Sequence, residues 1–395
     1  MGQSVDHAVG RARRVFAKSE AAFNTFVKPA ATDAIKIRDF SITAALERAK
    51  RIDNRSSRGV GTEQITRKKS FAWSLDAYAL PSGVAGTAPD IGEVLKRAMG
   101  IETVTGGTKV DYTLNSVQAI GSLLLQDFMH DSASTPNGVL MQAVWGAVVE
   151  ALTIKVSGKE EASISAEGIA ASGAHTVYGT STATISAAAT SFTYAAADAG
   201  ASQVGSVIKI GTDDNTGAGY TVTAVDAAGT GITFTPGLGV QQTGATPIRP
   251  FAPTETTAGS PLSATLGSVT AGGISLPIVE AELTMKNGMK PIDDEQGQDA
   301  PSDFIPGDRE VTGSLKFRGR RDVLINWANR TRLGTRALVI TCGNVAGKRL
   351  KINVPFAEID VTQALDTPAR DEVMVPLPFT ALESAGNDEF NLSFD

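Results

Sequence analysis

The chain is 395 residues long, 42% hydrophobic and 20% charged, with a net charge of −6 and a pI near 5.3. These proportions exclude a globally disordered chain, and the acidic balance argues against a protein whose main task is gripping nucleic acid, because phosphate neutralisation needs a basic excess. The single cysteine, Cys342, rules out an intrachain disulfide, and 40 glycines suit many short strands joined by tight turns.

Residues 1–30 read as an N-terminal arm. Arg11, Arg13 and Arg14 have no apolar run behind them, so a secretory signal is not expected, and synthesis in a cytoplasm is. A first β unit is expected over 31–172. It opens with a strand at Ile35–Thr43, a charged loop at Arg48–Lys69 and a second strand up to Tyr78. An amphipathic helix follows at Ile91–Gly100, then strands at Val110–Leu114 and Ala151–Val156, with Ala162–Ala166 as an edge. The most apolar run, Gly138–Ile154, is broken by Gln142 and Glu150 and is too short to span a bilayer, so no membrane partner is expected.

Composition changes over 173–257, where only Asp198, Lys209, Asp213, Asp214, Asp226, Arg249 and Glu255 are charged. Alternation at Ser206–Ile210, Tyr220–Val225 and Gly231–Thr235, with Gly-rich turns between, predicts a small all-β insert. Pro247, Pro250, Pro253 and Pro261 predict an extended connector leading into a linker over 258–273.

The element order of the first unit then recurs over 274–395. A strand at Ile278–Met285 leads into a long loop over Lys286–Pro306, a strand at Arg309–Phe317 and a helix at Asp322–Asn329. Further strands are expected at Arg336–Thr341, Leu350–Phe356 and Glu389–Phe394. Val373–Phe379 is demoted to an edge or irregular strand by its prolines. A repeat this long points to two copies of one small domain, not to a solenoid of short repeats.

A search for chemistry finds little. His7, His130 and His175 lack metal-ligand spacing, and no cysteine cluster assists them. Gly343–Arg349 is one residue short of a phosphate loop and reads better as a hairpin turn. Asp213–Gly217 opens like a calcium loop, but Ala224 stands where the bidentate acid belongs. No Gly-x-Ser-x-Gly elbow occurs. Neither an enzyme nor a cofactor is expected.

The two long loops are the most unusual feature, since structureless loops of this length inside compact domains are uncommon. Arg48–Lys69 carries eight basic residues against two acidic ones, and Lys286–Glu310 carries seven acidic against three basic. The ordinary reading is two solvated loops. The sharper one is a pair of arms that meet neighbouring subunits through opposite charge, with Arg48, Arg51, Arg55 and Arg58 on one side and Asp293, Asp294, Glu295 and Asp299 on the other.

Strand, long loop, strand, helix and further strands is an order that resembles the tail tube proteins of long-tailed bacteriophages with non-contractile tails, in their duplicated form. The resemblance covers most of the chain beyond the arm. It rests on Val279–Gly288, on Gly307–Leu315, and on Val204–Gly211 with Gly219–Asp226 in the insert, which is similar to decorations found in such proteins. It implies a mainly β fold of two tandem tube-type β-sandwich domains, each with a flanking helix and a long loop, plus the insert as an outer decoration. It further implies a virion protein that builds stacked rings, with three duplicated chains making a pseudo-hexameric ring; six chains are the alternative. The implied partners are other copies of the chain, the tape measure protein, and tail terminator and distal tail proteins, with DNA passing through the lumen unbound. Alternation places Glu280 and Glu282, and in the first unit Asp39, Ser41 and Thr43, on the face opposite Val279, Ala281 and Leu283; in such a tube these are the lumen candidates. The competing reading is a surface adhesin or carbohydrate-binding β protein, which would want an export signal and exposed aromatics.

Overall fold

A computed structural model describes residues 13–50, 64–115, 121–130, 138–256, 259–262, 267–271, 274–276, 278–298, 300–319, 335–359 and 373–395. The expected helix at Asp322–Asn329 lies outside these residues.

The fold is mainly β. In chain order its strands begin with β1 (Arg13–Ser19), β2 (Ala34–Ile35), β3 (Ile37–Lys50) and β4 (Gln64–Tyr78). The helix α1 (Gly92–Met99) precedes β5 (Gly100–Thr105), β6 (Lys109–Leu114), β7 (Leu123–His130), β8 (Gly138–Ser157) and β9 (Ser163–Val177). The insert supplies β10 (Gly179–Thr180), β11 (Ser191–Thr193), β12 (Val207–Ile210), β13 (Tyr220–Val225), β14 (Gly231–Thr235) and β15 (Pro247–Pro250). Next come β16 (Ser268–Ala271), β17 (Ile274–Leu276), β18 (Ile278–Lys286), β19 (Lys290–Ile292) and β20 (Asp303–Ile305). The chain ends with β21 (Glu310–Arg318), β22 (Thr335–Cys342), β23 (Leu350–Ile359), β24 (Met374–Ala381) and β25 (Asn391–Phe394).

The same antiparallel pairings occur in both halves. In the N-terminal half these are β1–β2, β1–β7, β3–β4, β4–β9, β7–β8 and β8–β9. Their counterparts in the same chain order are β16–β17, β16–β22, β18–β21, β21–β24, β22–β23 and β23–β24. The register agrees residue by residue. Ser41 faces Ser74 as Glu282 faces Ser314, and both first strands shift register at the matching place, between Ile37 and Asp39 and between Ile278 and Glu280. The counterpart of β9 is split in two: β24 takes its first half, while β25, paired with β23, takes its second.

Two ladders cross both halves. One runs β3-β4-β9-β8-β18-β21-β24, joined between the halves by β8–β18, where Lys286 faces Ala151 and Glu280 faces Ser157. The other runs β5-β6-β25-β23-β22-β16-β17, joined by β6–β25. Both bury one face in a shared core. Phe40, Leu75, Ile154, Leu283 and Phe317 come from the first ladder; Tyr112, Leu338, Ile352, Leu392 and Phe394 come from the second. Each large side chain fully buried this way contributes about 1.5–3 kcal/mol. Helix α1 adds Val94, Leu95, Ala98 and Met99, the stripe its periodicity predicts, and ends at Gly100, whose φ of 104° suits glycine.

The insert is a separate six-stranded sheet ordered β10-β15-β12-β13-β14-β11. The Ser181–Tyr194 bridge ties its two edge strands together and closes it into a small barrel. Alternate residues fill the interior, among them Phe192, Tyr194, Ile208, Ile210, Tyr220, Val222, Ile232, Phe234 and Ile248.

Several expectations are corrected. The arm is structured from Arg13: β1 pairs with β7 along its whole length, and Arg13 forks onto Asp127 at 3.2 and 2.7 Å. Burial dominates the Asp127 carboxyl and raises its pKa, with Arg13 pulling the other way. The segment that follows is a strap. Phe23 meets Phe304 edge-on, Phe26 meets Trp145, and Lys28 donates to the Gly219 carbonyl at 3.3 Å. Strand β9 is not an edge, since β4 and β8 flank it. Pro247–Pro250 is a barrel strand, not a connector, and the expected linker contains β16.

Candidate assembly surfaces

The face of the first ladder that points away from the core carries a band of hydroxyls and carboxylates. One cross-strand row reads Asp39, Asp76, Ser165, Thr153, Thr284, Thr312 and Thr380, passing through the β8–β18 joint without interruption. Within it Ser165 donates to Asp76 at 3.0 Å, and the Thr153 and Thr284 hydroxyls lie 3.0 Å apart. In the neighbouring rows Ser41 and Ser74 share a 2.8 Å hydrogen bond, and Lys155 pairs with Glu282 at 3.2 Å across the joint. That pair is partly exposed and contributes at most about 1 kcal/mol.

The structure therefore brings together the five residues singled out from alternation. Asp39, Ser41, Thr43 and Glu280 are exposed, Glu282 is half-buried, and all five share this face. Asp39, Asp76 and Glu167 border a shallow groove of about 200 Å³. Asp76, Glu167 and the threonine row were missed, although alternation on β4 and β9 carries the same signal. Lys155 and Lys316 also stand on the face, so the band is acidic without being purely so.

The long loops differ from expectation. Strand β3 runs to Lys50 and β4 starts at Gln64, with Arg48 opposite Thr66, so both described ends of the first loop are paired strand that extends the ladder. Arg51, Arg55 and Arg58 lie outside the described residues. The second loop contains the β19–β20 hairpin and is rooted at three points. Asn287 donates to the carbonyls of Ala98 and Val149, each at 3.1 Å, which satisfies the C-terminal end of α1. Arg309 forks onto Glu389 at 2.6–3.0 Å and donates to the Asn115 carbonyl at 3.3 Å. Met289 and Phe304 pack with Val148 and Phe23. The tip, with Asp293, Asp294 and Glu295, is exposed; Asp299 lies outside the described residues.

Two features bear on chemistry. Burial pushes the Cys342 thiol up to about 12, which keeps it protonated and inert. Among the described residues no group of three His, Cys, Asp or Glu side chains gathers to hold a metal.

No protein-family model matches this chain, and no curated protein sequence matches it.

Proposed function

We propose that the chain is the structural subunit of a hollow phage-type tail tube: three copies close into a ring of six similar β units, and rings stack into a conduit for DNA. The observation that carries this reading is the β8–β18 joint. There the last part of one unit pairs with the first strand of the next, in the same sense that a ring of such units requires. The counterpart of β18 is β3, and among the described residues β3 pairs only with β4, leaving its other edge for a neighbour. The counterpart of β8 is β23. Repeating the internal joint between chains, β23 side to β3 side, is a head-to-tail contact, which closes into a ring when the rotation per unit divides the circle. Closure also removes the exposed sheet edges that otherwise invite aggregation. On this reading the polar band lines the lumen around a tape measure protein, and terminator and distal tail proteins cap the tube.

Electron microscopy of the purified chain at high concentration, with native mass measurement, tests the proposal. Rings or tubes containing three chains per layer are expected. Six chains per layer would break the pseudo-symmetry, and a persistent monomer would end the reading.

A further inference from the structure

We infer that the barrel insert belongs to the joint between neighbouring chains and is a surface for a second copy of this protein, where the resemblance implied only an outer decoration. The inference rests on the ring reading above.

It follows from comparing what covers two equivalent strand edges. The register places Gln142 of β8 and Ile352 of β23 at matching positions, opposite Asp127 and Ile340. Their partners on the far side are His175 of β9 and Leu392 of β25. The outer edge of β25 receives β6 from the N-terminal unit, with Leu392 facing Tyr112 and Phe394 facing Val110. The same N-terminal unit supplies β8 to the β8–β18 joint, so one neighbour provides both contacts.

The outer edge of β9 has a different cover. The Val177 N–H donates to the Ala201 carbonyl at 2.8 Å, and the His175 N–H donates to Gln203 Oε1 at 3.0 Å. The lip of the barrel, residues 201–206, thus occupies the place that β6 takes on β25. Carrying the internal joint over to the next chain puts that chain's C-terminal half beside this lip.

Side chains agree with an open joint here. Leu392 and Phe394 are buried in the shared core beside β6, with Phe394 edge-on to Tyr112, whereas their counterparts His175 and Val177 are exposed. Val177 is 37% exposed and Val204, on the lip, 52%, so two apolar side chains stand uncovered beside a closed backbone edge. With its amides already satisfied, the edge cannot add a strand, and contact with the neighbour is made through side chains.

The test uses the full chain with Val177→Asp and Val204→Asp, singly and together. Val240→Asp is the control: this valine is 63% exposed and its N–H is tied to Asp213, at the other end of β12. All variants should match the wild type in circular dichroism and melting temperature as monomers. The double variant should need at least tenfold more protein to form rings, and the control should not. Hydrogen exchange should slow over 173–177 and 201–206 when the wild type assembles. Rings that form normally from the double variant, with no such protection, overturn this inference and leave the ring standing. A wild-type chain that never assembles overturns both.

Discussion

The indole of Trp73 lies over Gly168, directly opposite it on the next strand, and at the matching place in the C-terminal half the order is reversed, with Gly313 opposite Phe379. A methyl at Gly168 would sit 3.0 Å from the Trp73 ring and clash with the Val148 carbonyl; one at Gly313 would collide with the Phe379 ring. Each half therefore needs one large and one absent side chain at this point of its core, and which strand supplies which is free.

The first prediction is that Gly168→Ala and Gly313→Ala each destabilise the fold by about 1–3 kcal/mol, the usual cost of overpacking a filled core. Gly106→Ala, where an added methyl meets nothing within 4 Å, should stay within about 0.5 kcal/mol of the wild type. Urea denaturation of the three variants measures this. Equal stability of all three would refute the packing argument.

A second prediction concerns Gln126, which is fully buried between Phe16 and Ala143 with neither amide atom bonded to a described residue. An unsatisfied buried polar group costs about 1–3 kcal/mol. Gln126→Leu, nearly the same volume without the polar atoms, should raise the stability by about 1 kcal/mol. A fall in melting temperature would mean that the amide has a partner, such as an ordered water.

These two sites also show what the sequence can and cannot convey. Alternation made β3, β18 and their polar faces legible, because each buries one face only. Strand β1 was not, since Val15, Phe16 and Ala17 are all buried and a strand covered on both faces has no period of two. Helix α1 was legible from its stripe and its terminal Gly100. The joints β8–β18 and β6–β25 were not, because they link residues more than 100 positions apart and no local pattern records them. The charges of the long loops were plain, but not that Asn287, Phe304 and Arg309 root the second loop on both halves.

The third prediction is a pH dependence centred on Glu20. Its carboxylate is 5% exposed, accepting from Ser122 Oγ at 2.5 Å and from the Gly146 N–H at 2.7 Å. Burial is the largest influence and raises its pKa above the ordinary carboxylate value, against the opposing pull of those hydrogen bonds. A carboxyl whose folded pKa is raised favours the folded state below its unfolded pKa, near 4.3, and loses that contribution as pH rises through the folded value. Glu20→Gln keeps an acceptor for Gly146 and removes the charge. Its stability relative to the wild type should therefore improve as pH rises from about 4 and level off once pH has passed the folded value, measured as melting temperature at each pH. A difference that is flat with pH would remove Glu20 from the account, whereas Glu20→Ala should lose stability at every pH by leaving the Gly146 N–H unpaired.

The last prediction concerns the polar band. If it lines a conduit, its acidic side chains keep a moving polyanion from adhering, because each phosphate met by a cation would release a counterion and gain affinity. Asp39 and Glu280 hold matching positions in the two halves and both are exposed, so changing them does not disturb the core. Both stand in the ladder, Glu280 opposite Ser157 at the β8–β18 joint and Asp39 opposite Asp76, but these pairings are made by the backbone, which a change of outward side chain leaves in place. Asp39→Lys with Glu280→Lys should therefore leave assembly intact while making assembled tubes retain short duplex DNA that wild-type tubes release. The retention should weaken steeply between 50 and 200 mM salt, with the log–log slope steepening by about 0.9 for each phosphate newly neutralised. A filter-retention assay at several salt concentrations reads both quantities. Assembled wild-type tubes that already hold DNA, or lysine tubes that still do not, would place this face somewhere other than the lumen.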